Sequence, residues 1–394
     1  MTLLSFTKMT VTCFPLTSDP PLSSASADLD IGVFDRAPSP SPSTSASYDD
    51  DSDEDEDEEE RNHRVAPCWQ SYRQLFESHG YHLDTCKDVR QFYINYWEAR
   101  NVQHSLETYA GYRSARREDR DENELCRDEG LPERLFRGKR LSDNLQIVIK
   151  AVHRRSRELD VITALSTPPL RDDPMNHCIP VLDIIHAPLD PPHAFSHGAY
   201  RDQLSFVIME EWSSEFIPPD QPHTLRSYLT SLLHCIQHIT FMHTHRFAHL
   251  DIAVRNVLTD YAGRYAYIDY ETSRRFCRPP VEIEQGEDPH SSVLVHHPRA
   301  TEVPPEVEKG HSTSPYAMDV WALGMLISKA GMSTGYAVPE LCPITRSMLE
   351  PQWEKRPSAK VVLRLFGEAI LKISEERLNS APYTSHPKPA VPNH

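Results

Sequence analysis

Three side chains at short, fixed separations carry the most chemical information in this sequence. Asp251 and Asn256 stand five residues apart in His249-Leu250-Asp251-Ile252-Ala253-Val254-Arg255-Asn256, and a second acid, Asp269, follows eighteen positions after Asp251 in Ile268-Asp269-Tyr270-Glu271. Phosphoryl transfer needs such a set: one carboxylate to orient an attacking hydroxyl, and an amide with a second carboxylate to hold Mg²⁺ against nucleotide phosphates. An H-x-D-x₄-N string alone arises by chance in many proteins; the downstream acid at this separation gives it weight. His243, His245 and His249 raise zinc by spacing alone. His243, however, falls where a helical pattern ends, which argues for a packing role.

These residues need elements to hold them. Leu225, Leu229, Leu232, Ile236 and Ile239 recur at helical spacing and run directly into the His249 loop. Upstream the pattern turns to β. Arg134 to Arg140, a turn at Ser142-Asp143-Asn144 and Leu145 to Val152 predict a hairpin. A helix starting near Ser156 puts Glu158, Ile162 and Leu165 on one face. Strands are predicted at Ile179 to Ile185 and Leu204 to Met209, with the Pro/His-rich stretch His186 to Asp202 as a surface insertion. Two aromatic stripes, Trp69-Tyr72-Leu75-Phe76 and Phe92-Tyr93-Tyr96-Trp97, predict helices that use these rings as packing faces.

The paired motifs resemble the catalytic loop and metal motif of the eukaryotic protein kinase-like superfamily, H-R-D-L-x-x-x-N followed by D-F-G. The resemblance spans roughly residues 127–376 and implies an α+β, bilobal protein kinase-like fold: a small β-rich N-lobe with one helix, then a larger helical C-lobe. It implies ATP and Mg²⁺ as cofactors and a protein hydroxyl as acceptor. Lys150, in Ile147-Val148-Ile149-Lys150, resembles the strand lysine that contacts the α/β-phosphates, with Glu158 as its ion-pair partner. The gap between them is short for the family and implies a helix trimmed at its start. Met209 falls at the gatekeeper position, and backbone groups of Glu210 and Trp212 are expected to face adenine. Asp251 is the expected base, with Arg255 in the same loop, and Asn256 and Asp269 are the expected metal ligands. Pro304-Pro305-Glu306 resembles the end of an activation segment containing Ser291, Ser292 and Thr301. Arg356 is the expected buried partner of Glu306, and Asp319 the expected brace of the catalytic loop.

Departures from the pattern are equally specific. Counting back from Lys150, the three glycines of the phosphate-binding loop become Asp128, Gly130 and Glu133, so only Gly130 is expected to serve the nucleotide. Asp128, Glu129 and Glu133 are expected to bring negative charge toward an anionic ligand. Leu250 replaces the arginine that pairs with a phosphorylated activation segment, which argues against control by that route. Glu271 replaces the metal motif's glycine. These losses support an alternative, a pseudokinase scaffold of the same fold. The string Ile268-Asp269-Tyr270-Glu271 resembles choline- and aminoglycoside-type phosphotransferases, a third reading. Retention of Lys150, Asp251, Asn256 and Asp269 together favours a working protein kinase, while the acceptor class, Ser/Thr or Tyr, stays open.

Composition sets the outer limits. The 394 residues carry a net charge of −17 and 33 prolines, and eleven of the twelve residues from Asp49 to Glu60 are carboxylates. Residues 1–65 are therefore expected to be a disordered acidic tail, a solvated segment whose alternative use is recruitment of a basic partner. Residues 66–126 are expected as a helical extension, 127–376 as the kinase-like domain and 377–394 as a Pro-rich disordered tail. No basic run points to nucleic acid. No apolar run reaches the ~20 residues that a membrane span requires, and Met1 to Leu16 lacks a signal-peptide core. Eight cysteines without C-x-x-C spacing fit reduced thiols, and the expected location is cytoplasm or nucleus.

Overall fold

Alternating apolar residues and a polar turn generate the hairpin that anchors the sheet. The computed structural model of the chain describes residues 65–100, 105–117, 120–187, 204–214, 216, 223–260, 262–276 and 294–381. The acidic run, most of the Pro/His-rich insertion, Ser291, Ser292 and the last residues of the C-terminal tail lie outside them. In chain order the first elements are helix α1 (Trp69–Ser78), strand β1 (Tyr81–Leu83), and helices α2 (Cys86–Arg100) and α3 (Ala110–Ala115). The predicted hairpin follows as β2 (Leu135–Arg140) and β3 (Gln146–His153), then helix α4 (Arg157–Leu165), β4 (Val181–His186) and β5 (Leu204–Glu210). Helix α4 begins where its cap dictates: Ser156 Oγ accepts from the Leu159 N–H at 3.2 Å.

The five strands form one antiparallel sheet in the order β1-β2-β3-β5-β4. The segment 66–126, expected to be helical throughout, thus supplies an edge strand as well as helices. The three-residue strand Tyr81–Leu83 is too short to show period-two alternation, and the aromatic helical stripes on either side mask it. Its register depends on Gly138 in β2, whose missing side chain admits the His82 carbonyl oxygen to 2.3 Å from where a Cβ would stand.

The sheet's outer face is sealed by α1. Trp69 packs on Phe136 and Phe206 with ring centroids 5.1 and 5.8 Å apart, and Tyr72 and Phe76 meet Phe206 at 4.8 and 4.9 Å. Val65, expected to belong to a disordered tail, is buried in this outer core beside Ile147 and Ile149. Its inclusion follows from the apolar surface that α1 leaves open at its start.

The rest of the chain is mostly helical. Helix α5 (Leu225–Thr244) is followed by short strands β6 (Phe247–Ala248), β7 (Val257–Thr259), β8 (Tyr265–Tyr267) and β9 (Arg274–Arg275), then helices α6 (Pro305–Glu308), α7 (Pro315–Thr334), α8 (Cys342–Met348), α9 (Ala359–Ile370) and α10 (Glu375–Leu378). The apolar stripe of α5 lies in a continuous core with Leu323, Leu326, Val362 and Phe366. The same core takes in Ile162 of α4 and Val207 of β5, so sheet and helices share one interior. The fold is mixed α+β. The loose tail expected from residue 377 starts later, because Leu378 is buried and Ser380 O accepts from Leu225 N at 2.9 Å.

Gly138→Ala should lower unfolding stability by about 1–3 kcal/mol, since the added methyl forces backbone apart at a packed edge. Urea unfolding of the two proteins measures it, and an unchanged midpoint would show that β1 can shift without cost.

Candidate functional site

The catalytic-loop residues hang from one buried carboxylate. Asp319, near the start of α7 and fully buried, accepts from the backbone N–H of His249 and of Leu250, both at 2.8 Å, and lies 2.9 Å from His243 Nε2. His243 is therefore occupied in packing, as its helix-end position indicates. Leu250 is held at φ 64 and Asp269 at φ 65, left-handed conformations that non-glycine residues adopt at a cost of about 1–3 kcal/mol. Hydroxyls of Thr272 and Ser273 donate to His249 O at 3.0 and 2.9 Å, tying the Asp269 segment to the loop.

Asn256 and Asp251 are brought together. The Asn256 amide nitrogen donates to Asp251 O at 2.9 Å and Oδ2 at 3.0 Å, leaving its carbonyl oxygen as the group suited to a cation. Asp251 Oδ1 accepts from Thr301, from the backbone N–H at 2.8 Å and the hydroxyl at 2.5 Å. Arg255, largely exposed, donates to the Thr301 hydroxyl at 2.6 Å and lies 3.7 Å from Asp251 Oδ2. Thr301, expected only as a modifiable residue of the activation segment, is thus a hydrogen-bond partner of Asp251. Nothing in its sequence surroundings distinguishes it from Ser291 or Ser292; only the chain's return to the loop does so.

On the sheet side, Lys150 Nζ joins two acids, Glu158 at 2.5 Å and Asp269 at 2.9 Å. Burial works against the ammonium, yet Asp269 and Glu158 hold its pKa above the ordinary lysine value. Burial raises Glu158, while Asp269, despite its own desolvation, is pulled down to about 2 by Lys150 and Arg134. Glu271 is buried and paired with Arg134, whose Nη1 stands 3.2 Å from Oε1 and 3.0 Å from Oε2. Arg134 immediately precedes β2, and nothing in its local sequence signals the pairing, because its partner Glu271 lies 137 positions away.

The hinge side corrects two expectations. Asp128 does not face an anionic ligand: it is buried against Arg137, with Tyr93 donating to its Oδ2 at 2.8 Å. Arg137 also donates to Glu211 Oε1 at 2.8 Å and lies over the Phe92 ring at 4.5 Å. Gly130, expected to serve the nucleotide, spends its N–H on Asp128 Oδ1 at 2.9 Å in a local turn. The segment that replaces a glycine loop is therefore fastened to α2 through this ion network. Met209 and Trp212 are buried. Glu210 N donates to Pro180 O at 3.1 Å, and Glu210 Oε2 accepts from Trp212 Nε1 at 2.9 Å.

The activation-segment end is locked by two means. Arg356 makes a bidentate pair with Glu306, at 2.8 and 2.6 Å, both buried. Leu250 packs with Phe276, Val295, Ala300, Val307 and Tyr316 in an apolar cluster where an arginine would otherwise stand.

A scan against protein-family models finds no match, and no curated protein matches the chain. Among the described residues, no group of three or more His, Cys, Asp or Glu could hold a metal, and no helix is long and apolar enough to cross a membrane. The two oxygen donors, Asn256 and Asp269, suit Mg²⁺, which binds through one or two protein groups plus substrate phosphates.

Asp84, beside this hinge network, is held up at about 7 by burial and by the charges of Asp88 and Glu211. A raised carboxyl pKa means that the folded state binds the proton more tightly. Stability should therefore fall as pH rises from about 4 to about 7 and level off above that range. Asp84→Asn should remove this part of the slope, read from urea midpoints across pH. An unchanged slope would assign it elsewhere.

Proposed function

We propose that this chain is a divergent member of the protein kinase-like superfamily that transfers the γ-phosphate of ATP, with Mg²⁺, to a protein hydroxyl. The observation that carries the reading is the Lys150 bridge: one buried ammonium bonded both to Glu158 and to Asp269, the latter 119 positions from Lys150 in sequence. That arrangement couples the sheet to the loop holding Asp251 and Asn256. In this reading the sheet is the small lobe of a bilobal fold, and Lys150 positions the α/β-phosphates. Asp251, oriented by Asn256 and Thr301, accepts and aligns the acceptor hydroxyl. Bound Mg²⁺ would neutralise developing phosphate charge, held by Asn256 and Asp269.

Against a choline- or aminoglycoside-type enzyme stand the Glu306–Arg356 pair and the Asp319 brace, which belong with the protein kinase-like motifs. The pseudokinase alternative is favoured by one specific contact, Glu271 with Arg134 at the site's mouth. The two readings part on turnover.

Substitutions should differ in kind. Asp251→Asn should cut phosphoryl transfer by about 10²–10⁴-fold while leaving Mg·ATP affinity nearly unchanged. Asp269→Asn and Lys150→Ala should weaken Mg²⁺-dependent nucleotide binding as well. Thermal unfolding with and without Mg·ATP supplies the binding readout. Saturation at about 100 times the dissociation constant adds ~2.7 kcal/mol. A wild-type protein with no such stabilisation at millimolar Mg·ATP sinks the enzymatic reading. Binding without turnover leaves the scaffold. Thr301→Val should lower turnover about tenfold or more by freeing Asp251, with affinity for ATP retained. Equal turnover would make that hydrogen bond incidental.

A further inference from the structure

The site lacks the glycine backbone that would cradle phosphates, and a side chain stands in that region instead. Arg134 enters from the residue before β2, and its carbonyl accepts from Ala151 N at 2.8 Å, which fixes it alongside Lys150. Its guanidinium reaches Glu271 at 3.0 Å, and the charges of Glu271, Asp269 and Glu158 hold its pKa above the ordinary arginine value despite burial. The cluster therefore counts three carboxylates, Glu158, Asp269 and Glu271, against two cations, Lys150 and Arg134. Without Arg134, Lys150 would be the one side-chain cation left among these described residues, and an entering polyphosphate would rely on it and on Mg²⁺ alone.

We propose that Arg134 is a phosphate-binding residue that takes over from the missing glycine-loop amides, and that Glu271 is its positioning counter-ion. This rests on the nucleotide reading above. A guanidinium is permanently charged and presents five donors in a planar fork suited to phosphate oxygens. Glycine amides would need left-handed or closely approaching backbone, which Asp128 and Glu133 at the corresponding positions do not provide. Glu271 explains itself in the same terms: its carboxylate holds the long side chain in place at the site's mouth, so its position beside Asp269 serves Arg134 and does not simply repel phosphate. The two departures from the family's motifs, 137 positions apart in sequence and joined by this pair, are then one compensated change.

The experiment compares ATP with adenosine, each titrated against full-length wild type, Arg134→Gln and Arg134→Lys by calorimetry in Mg²⁺. Arg134→Gln should weaken ATP about tenfold or more, the range for a lost charge-assisted hydrogen bond, and leave adenosine unchanged. Arg134→Lys, which keeps the charge and the pairing with Glu271, should lose a smaller factor and guards against a misfolded glutamine variant. If ATP and adenosine weaken together in both variants, Arg134 is structural and the inference fails. Tighter ATP binding by Arg134→Gln would make the Arg134–Glu271 pair an obstruction and overturn it as well. A wild type that binds neither ligand overturns the nucleotide reading itself. A wild type that binds ATP no better than Arg134→Gln overturns this inference alone.

Discussion

Everything at this site is suspended from a single charge placed where water cannot reach it. Asp319 has no exposure, and its carboxylate is satisfied by two backbone N–H groups and the ring of His243. An unpaired buried carboxylate is expensive, so the loop must stay where its amides meet that charge. That demand holds Leu250 in the left-handed region. It also carries Asp251 and Asn256 into register and gives Thr272 and Ser273 a fixed carbonyl to bind. Helix α7 provides the rigidity behind it, through an apolar body continuous with α5.

The sheet answers with its own charges. Two ion networks are built on the sheet, one of Lys150, Glu158, Asp269, Arg134 and Glu271, the other of Arg137, Asp128 and Glu211. Buried pairs of this kind contribute little net stability, yet breaking one side costs several kcal/mol. Their effect is to specify geometry. The inner network ties the sheet to the loop, and the outer one ties α2 and the segment before β2 to the hinge. The segment before β2 is thereby fastened to the sheet and to α2.

Much of this was legible in the sequence, for identifiable reasons. The hairpin, α4 with its Ser156 cap and the α5 stripe rest on local periodicity and turn chemistry, and each formed within a few residues of expectation. The juxtapositions of Lys150 with Glu158, Glu306 with Arg356 and Asp319 with the loop are those that the resemblance to the protein kinase-like superfamily implies. What escaped depends on long-range partners. Asp128 was read as a phosphate-facing charge because its partner Arg137 lies in a strand whose alternation gives no hint of a buried cation. Arg134 and Thr301 owe their roles to residues 137 and 50 positions away. Strand β1 was missed because three residues carry no period, and its docking is decided by Gly138 on another strand.

Leu250 gives the segment that ends at Glu306 an apolar anchorage. A segment held by an arginine on a phosphate answers to ionic strength and to phosphatases. The contacts among Leu250, Phe276, Val295 and Tyr316 depend on neither, since their cohesion comes from apolar surface withdrawn from water. Such cohesion weakens on cooling.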